Sequence, residues 1–240
     1  MKFREAYDIA VPQKKRKEEK YNTWVAYVVR PLSVICTLPF IKRKTKPTTI
    51  TAVSILCAII GFFILIFART VPYKILGWVG FFAWAILDGV DGNLARCKNE
   101  CSALGDLWDT MGGYSAMVLI YYSAGIVSYF DTNLIEFLPQ YKYIYIIIGG
   151  FTAIFSIFPR LILHKKKSSQ AKLDAVDELT DTSNFSFVKR LAGNLTSPSG
   201  IMQVIFLLCL LLNTINVFIV CYFLVNMGIM TISLYGLLRE

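Results

Sequence analysis

Residues 73–109 read YKILGWVGFFAWAILDGVDGNLARCKNECSALGDLWD, and the way this stretch changes character decides the fold. Its first part is apolar and suits a membrane-spanning helix. The helical pattern then continues through Asp88–Arg96, although the residues have become polar. A turn over 97–102 follows, and a second helix opens at 103. Four carboxylates, Asp88, Asp91, Asp106 and Asp109, therefore sit on two successive helices, with Arg96 as the main nearby counter-charge. A carboxylate at a membrane costs several kcal/mol, about 2.5–3.5 by insertion scales, unless it is paired, wet or metal-bound. Asp88 and Asp91 are three apart and share a helix face, as do Gly105 and Asp109, four apart. The two faces meet across a helical hairpin, so the acids are expected inside a helix bundle and around cations, not against lipid.

Working outward, five more apolar runs meet or approach the roughly 20 residues that a span requires. The predicted spans are 48–68, 73–96, 103–129, 142–163, 199–213 and 215–237. The fifth is short, and Asn213 and Asn216 mark the turn between the last two. Pro47 is a favoured helix start. Residues 24–41 are apolar but broken by Arg30, Pro31 and Pro39, which predicts a helix lying along the membrane surface. A second surface helix is predicted at Phe185–Leu195. The fold class is thus all-α and integral to the membrane, with six transmembrane helices preceded by an interfacial helix. Residues 1–46 form a cytoplasmic N-terminal segment, and 47–240 form the six-span domain. Neither an internal repeat nor a low-complexity tract is evident.

Composition agrees. The 240 residues are 55% hydrophobic and only 17% charged, where soluble domains sit near a quarter charged. The net charge of +9 gathers in segments flanking apolar runs: Lys14–Lys17, Lys42–Lys46 and Lys165–Lys167. That distribution speaks for topology or attraction to anionic headgroups and against nucleic acid. The other side carries only Arg69, Lys74 and Lys142, which places both termini and the 97–102 turn in the cytoplasm. The charged first twenty-odd residues have no apolar core of their own, so the first span is expected to act as the targeting signal. The six cysteines have no second Cys or His pair to complete a zinc set with Cys97 and Cys101.

Hard oxygen ligands where two helices meet suit Mg²⁺ or Mn²⁺. Gly89, Gly92 and Gly105 remove side chains beside the acids, which lets a bulky ligand approach the backbone.

The spacing resembles that of the CDP-alcohol phosphotransferase family, whose motif is D-x-x-D-G-x-x-A-R, about eight residues, then G-x-x-x-D-x-x-x-D. Here it reads Asp88-Gly-Val-Asp91-Gly92-Asn-Leu-Ala95-Arg96, eight residues, then Gly105-Asp106-Leu-Trp-Asp109. The resemblance implies that Asp88, Asp91 and Asp109 ligate divalent metal bridging the donor's pyrophosphate. It implies that Gly92, Ala95 and Gly105 make room for the cytidine, and that Arg96 and Ser102 contact the nucleotide or its phosphates. The family's P-N-x-x-T at the start of the first span becomes Pro47-Thr48-Thr49-Ile50-Thr51, which makes Thr51 a further donor-site candidate. Arg160 is the corresponding candidate for an acceptor contact, and a homodimer is implied.

The motif departs at Gly113, where the family has its fourth Asp, the general base for the acceptor hydroxyl. Asp106, one turn before Asp109, is the nearest spare carboxylate and the candidate substitute. The resemblance implies a transferase that moves a phospho-alcohol group, such as phosphatidyl, from a CDP-alcohol donor to an acceptor hydroxyl and releases CMP. Two rivals remain: a non-catalytic CDP-alcohol-binding protein, and a divalent-cation transporter using the same acids. Inverted repeats and broken mid-span helices, common in transporters, are not evident.

Elsewhere, His164 lies among lysines at a membrane boundary and reads as a boundary residue. Asn184 and Asn194 open formal glycosylation sequons in a segment predicted to be cytoplasmic. Gly61, Gly112, Gly113, Gly125, Gly149 and Gly150 predict close helix contacts.

Overall fold

The computed structural model describes residues 3–13, 16, 19, 22–131, 139–170 and 194–238, and every regular element among them is helical. The helices are α1 (Phe3–Ala10), α2 (Arg30–Ile41), α3 (Pro47–Phe67), α4 (Val71–Lys98), α5 (Ala103–Phe130), α6 (Tyr143–Gln170), α7 (Ile201–Leu211) and α8 (Ile215–Leu238). A π-helical turn, Val25–Val29, runs directly into α2, so residues 25–41 are continuously helical. Most of the surface helix predicted at Phe185–Leu195, and Asn184, lie outside the described residues.

Local chemistry sets the boundaries. Pro47 opens α3 behind Lys46, whose backbone is extended; a proline at the first helical position wastes no hydrogen bond. Asn99 ends α4 by taking φ 55°, returning its N–H to the carbonyls of Ala95 and Arg96. That left-handed C-terminal stop is one Asn tolerates better than most residues. Three residues later the Ser102 hydroxyl accepts the Gly105 N–H at 3.1 Å and opens α5, an N-cap. The sharp turn that brings the two acid-bearing helices face to face is therefore fixed from both ends.

Four helices are long and apolar enough to cross a membrane: Pro47–Phe67, Val71–Lys98, Tyr143–Lys165 and Ile215–Gly236. The sequence predicts six. The two that fall short do so for different reasons. At 28 residues α5 has ample length, but Gly, Ser, Tyr and two Asp dilute its apolar character. It packs against α3, α4, α6 and α8, so protein neighbours replace much of the lipid that would demand apolar side chains. With 11 residues, α7 reaches only about 16 Å, well under a hydrocarbon core of about 30 Å.

The packing suits lipid outside and small groups inside. On α3, Thr51, Ser54, Ala58 and Gly61 are buried, while Leu56, Ile60, Phe63 and Phe67 are exposed. Without water to drive association, membrane helices gain most from close backbone approach. A Cβ on Gly61 would stand 2.7 Å from the Gly77 carbonyl, and one on Gly80 2.6 Å from the Gly61 Cα, so α3 and α4 cross almost backbone to backbone. Gly125 and Gly149 do the same for α5 and α6, each directed at a carbonyl of the other helix. Gly113 and Gly150, expected to act likewise, have nothing within 4 Å of where a Cβ would stand, and Gly112 meets Ile55 at ordinary contact distance. Trp84, Phe81, Tyr121, Tyr145, Phe206 and Phe218 fill the centre where α4–α8 converge.

Lys74 is not a loop charge, as its position suggested, but lies in the first turn of α4, 3% exposed. Its ammonium donates to Asp131 Oδ2 at 2.5 Å and to Asn213 Oδ1 at 3.0 Å. This clamp joins the start of α4, the end of α5 and the α7–α8 turn. It lies about 25 Å along α4 from Asp91.

Removing one member of a buried pair strands the other charge, at a cost of about 3–5 kcal/mol. Lys74→Ala should therefore lower the thermal midpoint of detergent-solubilised protein clearly, while Lys74→Met combined with Asp131→Leu recovers most of the loss. An unchanged midpoint for Lys74→Ala would show that the clamp carries no stability.

Candidate functional site

The start of α3, the end of α4 and the start of α5 enclose a cavity of about 360 Å³. Lys46, Pro47, Thr48 and Thr51 line it from the first of these. Asp91, Gly92, Ala95 and Arg96 line it from α4, and Glu100, Cys101 and Ser102 from the turn. Gly105, Asp106 and Asp109 complete it from α5. The cavity thus gathers Thr51, Asp91, Gly92, Ala95, Arg96, Ser102, Gly105, Asp106 and Asp109 from the sequence candidates. Asp88, half-buried one turn before Asp91, and Arg160 and Gly113 are not among its lining residues.

The carboxylate of Asp91 is the best defined. It is 3% exposed, accepts the Thr51 hydroxyl at 2.5 Å through Oδ2, and accepts the Gly92 N–H at 2.6 Å through Oδ1. Buried charge is tolerated when hydrogen bonds compensate it, and here they also fix its direction. Thr51 thereby has an observable role, orienting Asp91 across the α3–α4 contact. Asp106 and Asp109 are exposed on the facing helix, three residues apart, so both reach the cavity despite lying on either side of a turn.

The Arg96 guanidinium lies over Gly92, with both terminal nitrogens 3.4 Å from where a Cβ would be. Its Nε donates to the Ala10 carbonyl at 2.6 Å and its Nη2 to Asn93 Oδ1 at 3.0 Å. Gly92 and Gly105 do remove bulk at the cavity. Gly89, expected to do the same, instead makes room for α2: a Cβ there would stand 2.8 Å from the Ser33 Cβ. Ser102 lines the cavity while its hydroxyl caps α5.

Arg160 belongs to another neighbourhood. It donates to the Thr196 carbonyl at 3.0 Å, and His164, further along α6, stands edge to face with Tyr114 at 6.2 Å.

Several residues escaped the sequence reading. Lys46 and Glu100 bring opposite charges into the cavity, although Lys46 reads as a topology charge. Half-buried Glu19 and buried Arg30 and Asn93 form a polar network behind Arg96. One signal was available: Arg30 interrupts an apolar run, and a charge in such a place requires a partner.

Four carboxylates face two basic groups in the cavity. Such a lining would repel a pyrophosphate on its own and attract it through a divalent cation. The donor set is all oxygen, as Mg²⁺ and Mn²⁺ prefer. Among the described residues no three acid, His or Cys side chains converge into a ready cage. Mg²⁺ is usually held by one or two carboxylates together with substrate phosphates and water. The residues fit the ion.

No curated protein matches the chain. The family model described as CDP-alcohol phosphatidyltransferase matches residues 44–234, a range that contains every lining residue of the cavity. With most of its length matched, the chain belongs to the CDP-alcohol phosphatidyltransferase family, whose enzymes move phosphate-containing groups from CDP-alcohol donors to alcohol acceptors.

Proposed function

We propose that the protein is a divalent-metal-dependent membrane phosphotransferase that moves a phospho-alcohol group from a CDP-alcohol to an acceptor hydroxyl and releases CMP. The observation that carries this reading is one cavity lined by Asp91, Asp106 and Asp109 together with Arg96 over Gly92. In this reading α5 and α7 complete a six-helix membrane bundle, and the cavity opens to the cytoplasm, as the basic flanking segments suggest.

Asp91 and Asp109 would hold Mg²⁺ or Mn²⁺, with Asp88 one turn behind Asp91 on α4. When bound, the ion neutralises the pyrophosphate and stabilises CMP as leaving group. The protein's own groups do the rest. Thr51 keeps Asp91 aimed at the cavity. Arg96 and Lys46 bind phosphate oxygens, and Gly92, Ala95 and Gly105 leave a low floor for the cytosine. Asp106 takes the proton of the acceptor hydroxyl as its oxygen bonds to phosphorus and the bond from phosphorus to the CMP oxygen breaks. Holding acceptor and donor in line supplies much of the acceleration.

The Gly113 departure supports a second reading, a CDP-alcohol binder without transfer. The position of Asp106 on the cavity favours transfer. A cation path is less favoured: α4 carries no acid between Lys74 and Asp88, and its far end is tied into the Lys74–Asp131 pair.

Asp91→Asn and Asp109→Asn should each weaken Mg²⁺-dependent CDP binding, and Thr51→Val, which removes only an orienting hydrogen bond, should cost about 10–100-fold. Calorimetric titration checks all three, and unchanged affinities would remove these residues from the site.

CMP release with Mg²⁺ or Mn²⁺ across several CDP-alcohols and acceptors tests the chemistry; CDP binding without any release would favour the binder. Asp106→Asn should slow release about 10²–10⁴-fold. Since nothing stands within 4 Å of a Cβ at Gly113, Gly113→Asp should be accommodated and should restore turnover to the Asp106→Asn chain. Undiminished turnover in Asp106→Asn would show that the proton goes elsewhere.

A further inference from the structure

We infer that the segment preceding the family-matched residues is a positioning element of the donor cavity, acting through Arg96; this rests on the donor-binding reading of that cavity. Residues 44–234 match the family, yet the groups that hold Arg96 in place begin far earlier in the chain.

Arg96 has five N–H donors. Its Nε is taken by the main-chain carbonyl of Ala10, the last residue of α1, and one Nη2 hydrogen by Asn93. Both bonds lie on one edge of the guanidinium, and the plane is left resting over Gly92 at the cavity.

Asn93 is fully buried, and its Oδ1 accepts a second guanidinium as well, Arg30 Nη1 at 3.2 Å. Its amide nitrogen donates to Ser33 Oγ at 3.1 Å. Two cations therefore share one carbonyl oxygen. Glu19 balances this crowding by pairing bidentately with Arg30, accepting from Nε at 2.9 Å and from Nη2. With Glu19 in place, Arg30 fixes Asn93 without adding an uncompensated charge behind Arg96; without it, the like charges repel.

α1 is seated for the same task. Ala6 and Ala10 are buried against Val34 and beside Cys97, which lets the α1 backbone come close enough for a carbonyl to reach Arg96. Arg16 folds back on α1, donating to Val11 O at 2.8 Å and Asp8 Oδ1 at 2.5 Å and lying 5.0 Å over the Tyr7 ring. The arrangement gives Arg96 a defined direction, which lowers the ordering cost of binding a phosphate.

The test uses full-length protein in detergent or nanodiscs and CDP with Mg²⁺ as the probe. Arg96→Ala is paired in double-mutant cycles with Glu19→Gln, Asn93→Ala and Ala6→Glu, the last of which unseats α1 with a buried charge. Each partner variant should weaken CDP binding about tenfold in the parent chain, the size expected for a hydrogen bond to a charged group. In the Arg96→Ala chain each should cost less than about twofold, because a residue that acts through Arg96 has nothing left to act on. Equal losses in both backgrounds, or no loss in the parent, overturn the positioning role while a weakened Arg96→Ala chain upholds the donor site. An Arg96→Ala chain that binds CDP like the parent overturns the donor reading and the positioning role with it. Should Asn93→Ala fail to fold, the isosteric Glu19→Gln at the edge of the network decides the matter alone.

Discussion

The hydrogen bond from Thr51 to Asp91 is the constraint on which the cavity depends. A buried carboxylate that must accept from a hydroxyl on a neighbouring helix fixes that helix in height and rotation. α3 and α4 can satisfy it because Gly61, Gly77 and Gly80 let their backbones cross nearly in contact further along. The same register puts Lys46 and Thr48 on the cavity that Gly92 and Ala95 also line. The turn capped by Asn99 and Ser102 then folds α5 back so that Asp106 and Asp109 face the buried acid. Shape at the cavity is thus set by three short-range devices: a glycine crossing, a hydroxyl–carboxylate bond and a doubly capped turn.

The motif residues were legible in the sequence because a helical hairpin converts spacing directly into geometry. Asp91, Gly92, Arg96, Gly105 and Asp109 fall on faces that a capped turn must oppose, whatever surrounds them. The membrane class was equally legible, since runs such as 48–68 have no other use for so many exposed large apolar residues. Spans of mixed character were harder. α5 buries Gly112, Ser123, Gly125 and Ser128 against its neighbours while Leu104, Leu107 and Met111 stay exposed, so its composition is mixed, and α7 is simply short.

What the sequence concealed were contacts between distant segments. Arg30 looks like an interruption of an apolar run until Glu19 and Asn93 are beside it. Lys74 looks like a loop charge until Asp131, 57 residues later, closes on it. Gly89 sits in the motif and suggests a ligand, but its missing side chain serves Ser33 of α2. In each case local pattern gave the correct residue and the wrong neighbour, because burial is a property of the packed bundle and not of the stretch.

The Lys74–Asp131 pair has a consequence for how the protein reaches its membrane. Lys74 stands in the first turn of α4 and Asp131 at the exit of α5, so the two charges close the ends of a single hairpin. Either helix inserted alone would bring an unmatched ion toward hydrocarbon, at about 2.5–3.5 kcal/mol on insertion scales. Inserted together, the hairpin carries no net charge at that end. Under the six-helix reading proposed above, the lower-cost order of assembly therefore inserts α4 and α5 together, with the pair already closed.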